Sequence, residues 1–352
     1  MERIEALRAR LPADAAALIL TGVNRRYFTG FSSSLGYLFV SGDRAIFYTD
    51  SRYIEAAGKA VSAGCEVRLF ERLSDVLRQV AAELAADRLL TEEEIPVSTL
   101  RRLEALSPLP VEAEVLSAEI RALRQIKSAA EVACIRKAQQ IAEEAFDRLL
   151  PCVKPGVSER ELALELDYTM RRLGAEDLSF ETIVVSGENS SMPHGVPGER
   201  RLQSGDFVTF DFGAVWQGYH SDMTRTVVLG RADAEMRRVY DTVLAAQEAG
   251  LAVLRPGLPC NEGDRAARRM IEEAGYGAFF GHGAGHSVGL EIHEEPRLSP
   301  SCAALLEPGM IMTVEPGIYL PERFGVRIED MVCITPDGCE NLTGTRKALL
   351  EL

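Results

Sequence analysis

The chain has 352 residues, and its 39 lysines and arginines against 53 aspartates and glutamates give a formal charge of −14. Hydrophobic residues make up 46% and charged residues 26%, a composition typical of soluble globular proteins, and the length allows two domains. The acidic balance argues against nucleic acids and anionic membranes as partners, because phosphate groups are bound by a local excess of Lys and Arg.

The first third of the chain alternates strand and helix patterns. Three short apolar runs predict strands, at residues 18–20, 37–40 and 45–48. Residues 75–84 place their apolar side chains on one helical face, and a long helical stretch follows a turn-like segment, with Ser128 and Glu131 spaced as a capping box. We therefore predict a small N-terminal α/β domain, residues 1–121, followed by a second domain, residues 122–352.

The N-terminus and the cysteines indicate a cytoplasmic protein. The first residues lack the basic start and apolar stretch of a signal peptide, and the apolar run at residues 15–20 is too short to span a bilayer. The seven cysteines are scattered and include no C-x-x-C pair, so we expect reduced thiols.

An internal repeat runs through the C-terminal two-thirds. Residues 153–157 match residues 254–258, which lie 101 positions later, and each segment precedes a helical pattern. Both patterns end at a glycine, Gly174 and Gly275, again 101 positions apart, and glycine is the expected residue just past a helix. The repeat predicts two copies of one structural unit related by a pseudo-twofold axis.

The repeat also places a carboxylate at the same point of each copy. Asp211 aligns with Glu315. A hairpin turn centred between residues 216 and 217 would pair Asp211 with Asp222, and a turn near residue 322 would pair Glu315 with Glu329. Like charges facing each other on apolar strands are destabilising, so the four carboxylates predict bound cations.

Histidines gather near these carboxylates in the sequence. His282 and His286 lie in a glycine-rich segment whose composition argues against a helix, so this is not the zinc-binding H-E-x-x-H helix. His293 follows shortly after, and His194 lies in a predicted loop. Four of the five histidines of the chain are therefore candidate site residues.

In these residues the chain resembles the metal-dependent proline peptidases, the group of aminopeptidase P and prolidase (Xaa-Pro dipeptidase) with the pita-bread fold. The segments that carry the resemblance are residues 24–31, 49–53, 211–213, 221–226, 281–296, 313–317 and 326–330. The resemblance implies an α+β protein: a C-terminal pita-bread (creatinase/aminopeptidase) fold with an internal pseudo-twofold repeat, plus a smaller creatinase-like N-terminal α/β domain.

The resemblance further implies a binuclear metal site. Asp211 would bind one metal, His286 and Glu315 would bind the other, and Asp222 and Glu329 would bridge the two. Ligation by oxygen atoms and one imidazole suits divalent cations, with Mn²⁺ expected and Co²⁺ or Zn²⁺ as alternatives. The pair would activate a bridging hydroxide for attack on the carbonyl before proline.

The remaining site residues follow from the same resemblance. His282 and His293 would stabilise the developing oxyanion, and His194 would contact the substrate or carry a proton. Arg327 would orient a bridging carboxylate, and Tyr319 is a candidate for substrate binding in the same surroundings. Arg297 matches a position where prolidase-like members hold the free carboxylate of a dipeptide.

Arg297 favours an Xaa-Pro dipeptidase, with an Xaa-Pro aminopeptidase acting on longer peptides as the alternative. Methionine aminopeptidases fit less well because of the N-terminal domain, and creatinase-like enzymes lack the metal ligands. A non-catalytic peptide-binding scaffold of the same fold is the remote alternative. The expected partner is a proline-containing di- or oligopeptide, and the resemblance implies a homodimer. The sequence leaves open the metal, the preferred residue before proline and any contribution of the N-terminal domain to a partner's active site.

Overall fold

The computed structural model describes residues 2–61, 64–113 and 115–352, and the chain divides into two compact units, Met1–Arg124 and Gln125–Leu352. The first unit is built on a six-stranded sheet. Its strands are β1 (Ala15–Ile19), β2 (Tyr37–Val40), β3 (Ala45–Thr49), β4 (Glu66–Leu69), β5 (Arg88–Thr91) and β6 (Val111–Glu112). They lie in the order β4-β3-β2-β1-β5-β6, in which β1, β2 and β3 pair antiparallel and the other pairs are parallel.

Among the described residues, six helices accompany this sheet along the chain. They are α1 (Glu2–Arg8), α2 (Gly22–Thr29), α3 (Ile54–Ala60), α4 (Leu73–Glu83), α5 (Val97–Leu106) and α6 (Leu116–Gln125). Apolar side chains of the sheet, such as Leu18, Phe39 and Ile46, pack against Val76 and Val80 of α4. The three strands and the helix predicted in this region are confirmed as β1, β2, β3 and α4.

Helices α7 (Ala129–Leu149), α8 (Glu159–Arg172), α9 (Ala234–Val253) and α10 (Cys260–Glu273) form the helical part of the second unit. Three short 3₁₀ helices occupy Leu150–Cys152, Gly187–Ser191 and Gly277–Phe279. Helix α7 begins with the predicted capping box, since Ser128 accepts a hydrogen bond from Glu131 N and the Glu131 carboxylate accepts one from Ser128 N. None of the described helices combines the length and apolar character needed to cross a bilayer.

Thirteen strands of the second unit complete the numbering. The first half has β7 (Asp177–Leu178), β8 (Ile183–Ser186), β9 (Phe207–Phe212), β10 (Ala214–Trp216), β11 (Tyr219–His220) and β12 (Met223–Val228). The second half has β13 (Gly285–Ser287), β14 (Glu294–Leu298), β15 (Ile311–Val314), β16 (Gly317–Leu320), β17 (Phe324–Arg327), β18 (Asp330–Thr335) and β19 (Gly338–Asn341). They form sheets in the orders β12-β9-β8, β11-β10-β7, β14-β13-β15-β18-β19 and β16-β17.

The two halves of this unit repeat one arrangement, a pair of helices packed on an antiparallel sheet. Helices α7 and α8 share a core with β9 and β12, whereas α9 and α10 share another with β15 and β18. Helices α8 and α10 are each followed by a glycine in the left-handed region, Gly174 at φ 104° and Gly275 at φ 85°. The predicted α+β class with an internal repeat is confirmed.

The halves meet along β12 and the segment that joins β17 to β18. Glu329 N donates to Thr224 O at 3.1 Å, and Thr226 Oγ1 donates to Arg327 O at 2.9 Å. The carboxylates of the two copies are thereby brought to one junction, beneath a cavity that both halves line.

Candidate metal centre and active site

A cavity of about 540 Å³ lies at this junction. It is lined by every site residue predicted from the sequence except Tyr319: His194, Asp211, Asp222, His282, His286, His293, Arg297, Glu315, Arg327 and Glu329. The hydroxyl of Tyr319 reaches the same cluster, because it is hydrogen-bonded to His282 Nε2 at 2.9 Å and accepts from Arg327 Nη1 at 2.9 Å. The structure thus brings all eleven predicted residues together.

Five of these residues lie in or beside strands of both halves and present one histidine and four carboxylates: Asp211, Asp222, His286, Glu315 and Glu329. His286 Nε2 lies 3.4 Å from Asp222 Oδ2 and 3.4 Å from Glu315 Oε1. Asp222, His286 and Glu329 are buried, and one ligand atom from each lies within 4.8 Å of the others. This is the spacing of a group that can share a cation.

The register of the first hairpin differs from the prediction. Asp211 pairs directly with Thr224, not with Asp222, which lies just before β12. The turn is centred between Gln217 and Gly218, both at positive φ (49° and 76°), which is the geometry of a tight two-residue hairpin turn. The turn is therefore one residue further along than expected, and Asp222 reaches the cavity from the loop before its strand.

The second hairpin has the predicted register. Gly317 pairs with Arg327 and Val314 with Asp330, so Glu315 and Glu329 lie at matching positions between these two pairs.

Burial of several carboxylates close together perturbs their titration. Burial and the neighbouring acids raise the pKa of Asp222 to about 7 and the pKa of Glu329 well above its ordinary value, and burial also raises the pKa of Asp211. Although burial disfavours the charged ring of His286, its contact with Asp222 and the charge of Glu315 raise its pKa to about 9. Protons are thus held where a divalent cation would neutralise the same charges.

The donor atoms fit such a cation. His286 Nδ1 lies 3.1 Å from Ser287 O, and since a carbonyl oxygen only accepts, Nδ1 carries a proton. Nε2 faces the carboxylates, and once a bound cation displaces its own proton, its lone pair would be free to bind that cation. Among the residues that the structure describes, none donates a hydrogen bond to Asp211 Oδ1 or to Glu329 Oε1, although both atoms are buried. Buried carboxylate oxygens normally have partners, and a cation would supply one here.

Arg327 ties together several residues of the site. Its guanidinium is almost wholly buried and donates to Asp211 Oδ2 at 2.5 Å, to Tyr319 Oη at 2.9 Å and to Thr224 Oγ1 at 3.1 Å. Thr224 Oγ1 in turn donates to Glu329 Oε2 at 2.7 Å. The side chain predicted to orient one carboxylate therefore holds Asp211 directly and Glu329 through Thr224.

The sequence reasoning missed the threonines that support the ligand set. Thr313 Oγ1 accepts from His286 N at 3.0 Å and donates to Glu315 Oε1 at 3.1 Å. Thr224 lies two residues from Asp222, and Thr313 lies two residues from Glu315. Because residues two apart in a strand share one face, this spacing could have identified both threonines from the sequence.

Burial favours the neutral ring at His282 and at His293. Burial lowers the pKa of His282 and of His293, and the His293 ring lies edge-on to the His286 ring, 4.5 Å between centroids. His282 Nδ1 donates to Gly283 O at 2.8 Å, so in the neutral ring Nε2 accepts from the Tyr319 hydroxyl.

A buried lysine missed by the sequence reasoning supports the turn that carries His293. Lys127 Nζ donates to Ser287 Oγ and to Glu294 Oε2, both at 3.1 Å, and its side chain is 1% exposed. Glu294 Oε1 also accepts from Leu290 N at 3.0 Å. Lys127 therefore links the residues that follow His286 and His293.

The chain is similar to known proteins over nearly its whole length. Residues 133–336 match Metallopeptidase family M24, and residues 3–126 match the Creatinase/Prolidase N-terminal domain. The Xaa-Pro dipeptidase of Pyrococcus furiosus is 37% identical over 353 residues, which cover 99% of this chain and 99% of that protein. Two solved structures align over almost the whole chain: an Xaa-Pro dipeptidase from Bacillus anthracis (TM-score 0.96, 40% identity, 100% of this chain and 99% of that one) and an X-Pro aminopeptidase from Thermotoga maritima (TM-score 0.92, 35% identity, 98% and 99%).

Proposed function

The chain belongs to metallopeptidase family M24, as its motifs predicted, and we propose that it is an Xaa-Pro dipeptidase that works with two divalent cations. The observation that carries the proposal is the convergence of one imidazole and four carboxylates on one cavity, with His286 Nε2 directed at the acids. The shared fold and the identity with Xaa-Pro dipeptidases over the full length support it.

The proposed ligands divide between the two cations. Asp211 would hold one, His286 and Glu315 would hold the other, and Asp222 and Glu329 would be shared between the two. Four carboxylates balance the charge of two divalent cations, which removes the repulsion that raises the carboxyl pKa values. When bound, such a pair supplies a Lewis acid and lowers the pKa of a water molecule to near neutrality. We propose Mn²⁺ as the metal, with Co²⁺ and Zn²⁺ as alternatives that metal analysis of the purified protein would distinguish.

The histidines have separate parts in this proposal. His293, neutral and in ring contact with His286, donates a hydrogen bond to the carbonyl oxygen as it gains charge. His194 lines the cavity and contacts the substrate or carries a proton. The sequence led us to expect His282 to stabilise the oxyanion, but both its ring nitrogens are already hydrogen-bonded. We propose instead that it acts through Tyr319, whose hydroxyl also accepts a hydrogen bond from Arg327.

Arg297 is proposed to bind the free carboxylate that follows the proline ring. It lies in β14 opposite His286, lines the cavity, and has a half-exposed side chain. Its contact with Glu295 is a single hydrogen bond at 3.4 Å, which leaves the guanidinium available for a carboxylate. The apolar side chains of Phe180, Ile183 and Ile292 line the same cavity and suit a proline ring.

An Xaa-Pro aminopeptidase is the second candidate, favoured by the TM-score of 0.92 with the Thermotoga maritima enzyme of that title. A paired assay separates the two. With Mn²⁺ added and a chelated control, we expect an Xaa-Pro dipeptide to be cleaved in preference to an Xaa-Pro-Xaa tripeptide. A preference for the tripeptide would establish the aminopeptidase. Cleavage of neither substrate by the metal-loaded protein would refute both and favour a peptide-binding scaffold.

The part of Arg297 is tested by substitution. Arg297→Ala should raise KM for the dipeptide by about 10- to 100-fold, the order expected for losing a charged hydrogen-bonded pair, and should change the tripeptide reaction little. Arg265→Ala is the matched control, because Arg265 is also exposed and paired with a glutamate, Glu262, but does not line the cavity. Equal effects of the two substitutions would remove Arg297 from the site.

We also propose that residues 1–121 form the N-terminal domain and residues 122–352 the catalytic domain, and that the protein is a cytoplasmic homodimer. The scattered cysteines, none of them in a disulfide in the described structure, support a reducing compartment. Sedimentation analysis of the purified protein tests the dimer.

A further inference from the structure

Glu159, the first residue of α8, is a buried carboxylate outside the catalytic cavity. It is fully buried, and its two oxygens accept five hydrogen bonds from three residues. Oε1 accepts from Ser186 N at 2.7 Å, from Ser186 Oγ at 2.8 Å and from Asn189 Nδ2 at 3.1 Å. Oε2 accepts from Gly198 N at 3.1 Å and from Asn189 Nδ2 at 3.2 Å.

These donors all belong to a single loop, residues 186–198: Ser186 and Gly198 are its two ends, and Asn189 lies between them. Ser186 ends β8, and Gly198 closes the loop. Between them, residues 193–197 line the cavity, and His194 is one of them. The far side of the loop is held by Arg327, which donates to Pro193 O at 3.2 Å. Glu159 thus joins both ends of the loop that carries His194 into the cavity.

Helix α8 does not need this carboxylate for its own start. Ser158 caps the helix, since its hydroxyl accepts from Glu161 N at 3.2 Å and the Glu161 carboxylate accepts from Ser158 N at 2.7 Å. A second, buried carboxylate at the next position carries a desolvation cost, which hydrogen bonds must offset. Those bonds all go to the loop.

The internal repeat supplies a comparison within the same chain. The position of the second copy that corresponds to Glu159, 101 residues later, is Cys260, the first residue of α10 and likewise fully buried. A thiol is therefore sufficient for packing at this point of the repeated unit. In the second copy, the loop after the corresponding strand carries His293 and is held instead by Lys127, which donates to Ser287 and Glu294.

We infer that Glu159 is a positioning residue, which fixes the loop of residues 186–198 so that His194 meets the substrate. The expected effect of Glu159 on turnover rests on the proposed function. Its expected effect on the structure of the loop does not. Glu159→Gln keeps the shape but turns one oxygen into an NH₂ group, which faces a donor and cannot accept. Either Gly198 N or the amide of Ser186 then loses its partner.

For the metal-loaded enzyme we expect Glu159→Gln to raise KM for an Xaa-Pro dipeptide by about 5- to 20-fold without loss of metal, since a loosened loop misplaces a substrate contact. The matched control is Ser158→Ala, which removes the N-cap of α8 at the preceding residue but leaves the Glu159 carboxylate in place. It should lower the unfolding temperature and leave KM unchanged.

A double-mutant cycle with His194→Ala distinguishes positioning from general weakening. If Glu159 acts through His194, Glu159→Gln should add little to the effect of His194→Ala. Equal effects of Glu159→Gln in both backgrounds would overturn the inference.

Hydrogen exchange of residues 186–198 provides a measurement that does not depend on turnover. We expect faster exchange of at least one of the amides of Ser186 and Gly198 in Glu159→Gln and unchanged exchange of both in Ser158→Ala. Unchanged exchange in Glu159→Gln would overturn the inference even in an active enzyme. If the wild-type protein with bound metal cleaves no Xaa-Pro peptide, the proposed function fails, and the exchange result still decides whether Glu159 holds the loop.

Discussion

Alanine at position 285 should damage the metal centre through a single added methyl group. Gly285 precedes His286 in β13, and a Cβ built on it would lie 2.0 Å from Thr313 O and 2.7 Å from Thr313 C. Such contacts are ordinarily at least 3.0 Å, and the opposing atoms are backbone atoms that cannot rotate away. The strand that carries His286 must therefore move by about 1 Å from the strand that carries Thr313.

That movement acts on the hydrogen bonds that place two of the proposed ligands. His286 N donates to Thr313 Oγ1 at 3.0 Å, and Glu315 N donates to Ala284 O at 2.8 Å. Loss of two or three such bonds, at about 1 kcal/mol each, predicts a free energy of unfolding lower by roughly 2–3 kcal/mol. A misplacement of about 1 Å at a reacting group predicts a fall in kcat of about 100-fold.

The control lies four residues away. A Cβ on Gly281 meets no atom of the described residues within 4 Å, and Gly281 is exposed and has no positive φ. Denaturant unfolding, metal content and kcat should be measured for Gly285→Ala and Gly281→Ala together. If both variants match the wild-type protein in all three measurements, the close approach of β13 to β15 does not position His286 and the reasoning is wrong.

The remaining predictions concern the charges and rings of the cavity. Glu329→Gln keeps the volume of a buried acid but removes its charge, so metal content and kcat should both fall; full activity with two metals bound would exclude the bridging role. Arg327→Lys keeps the positive charge, but an ammonium group cannot bind all the partners of the planar guanidinium at once, so kcat/KM should fall by roughly 10- to 100-fold. An unchanged kcat/KM would show that the contacts with Asp211 and Tyr319 are dispensable. His293→Ala should leave the metal content unchanged and lower kcat by about 100-fold, as for loss of a donor to a developing oxyanion, whereas loss of metal would make His293 a ligand. The metal-free protein should lose stability as the pH rises from 7 to 9, because the pKa of His286 is raised to about 9 and that of Glu329 is also raised, so the folded chain holds protons that the unfolded chain releases. Calorimetry in chelator across this range measures the effect, and a melting temperature that increases with pH would contradict it.

Much of the local structure and the chemistry of the site could be read from the amino-acid order. The strands of the first unit follow from short apolar runs, and the halves of the second unit follow from the spacing of Gly174 and Gly275. Matched acids such as Asp211 and Glu315 and histidines in a glycine-rich segment indicated a cation site, and the proposed ligand set came from the resemblance of these residues to the proline peptidases. These are features of neighbouring residues, or of a spacing repeated along the chain, and the backbone periods of strand and helix translate them directly into structure.

The tertiary structure decided the contacts between residues that are far apart along the chain. The pairing of Asp211 with Thr224 depended on a turn whose two residues adopt positive φ, and a shift of one residue in that turn changed every partner along the strand. Arg327 meets Asp211 across 116 positions, and Lys127 meets Glu294 across 167. No local pattern encodes such pairs, because they form only when distant segments pack together and each buried charge must find a partner.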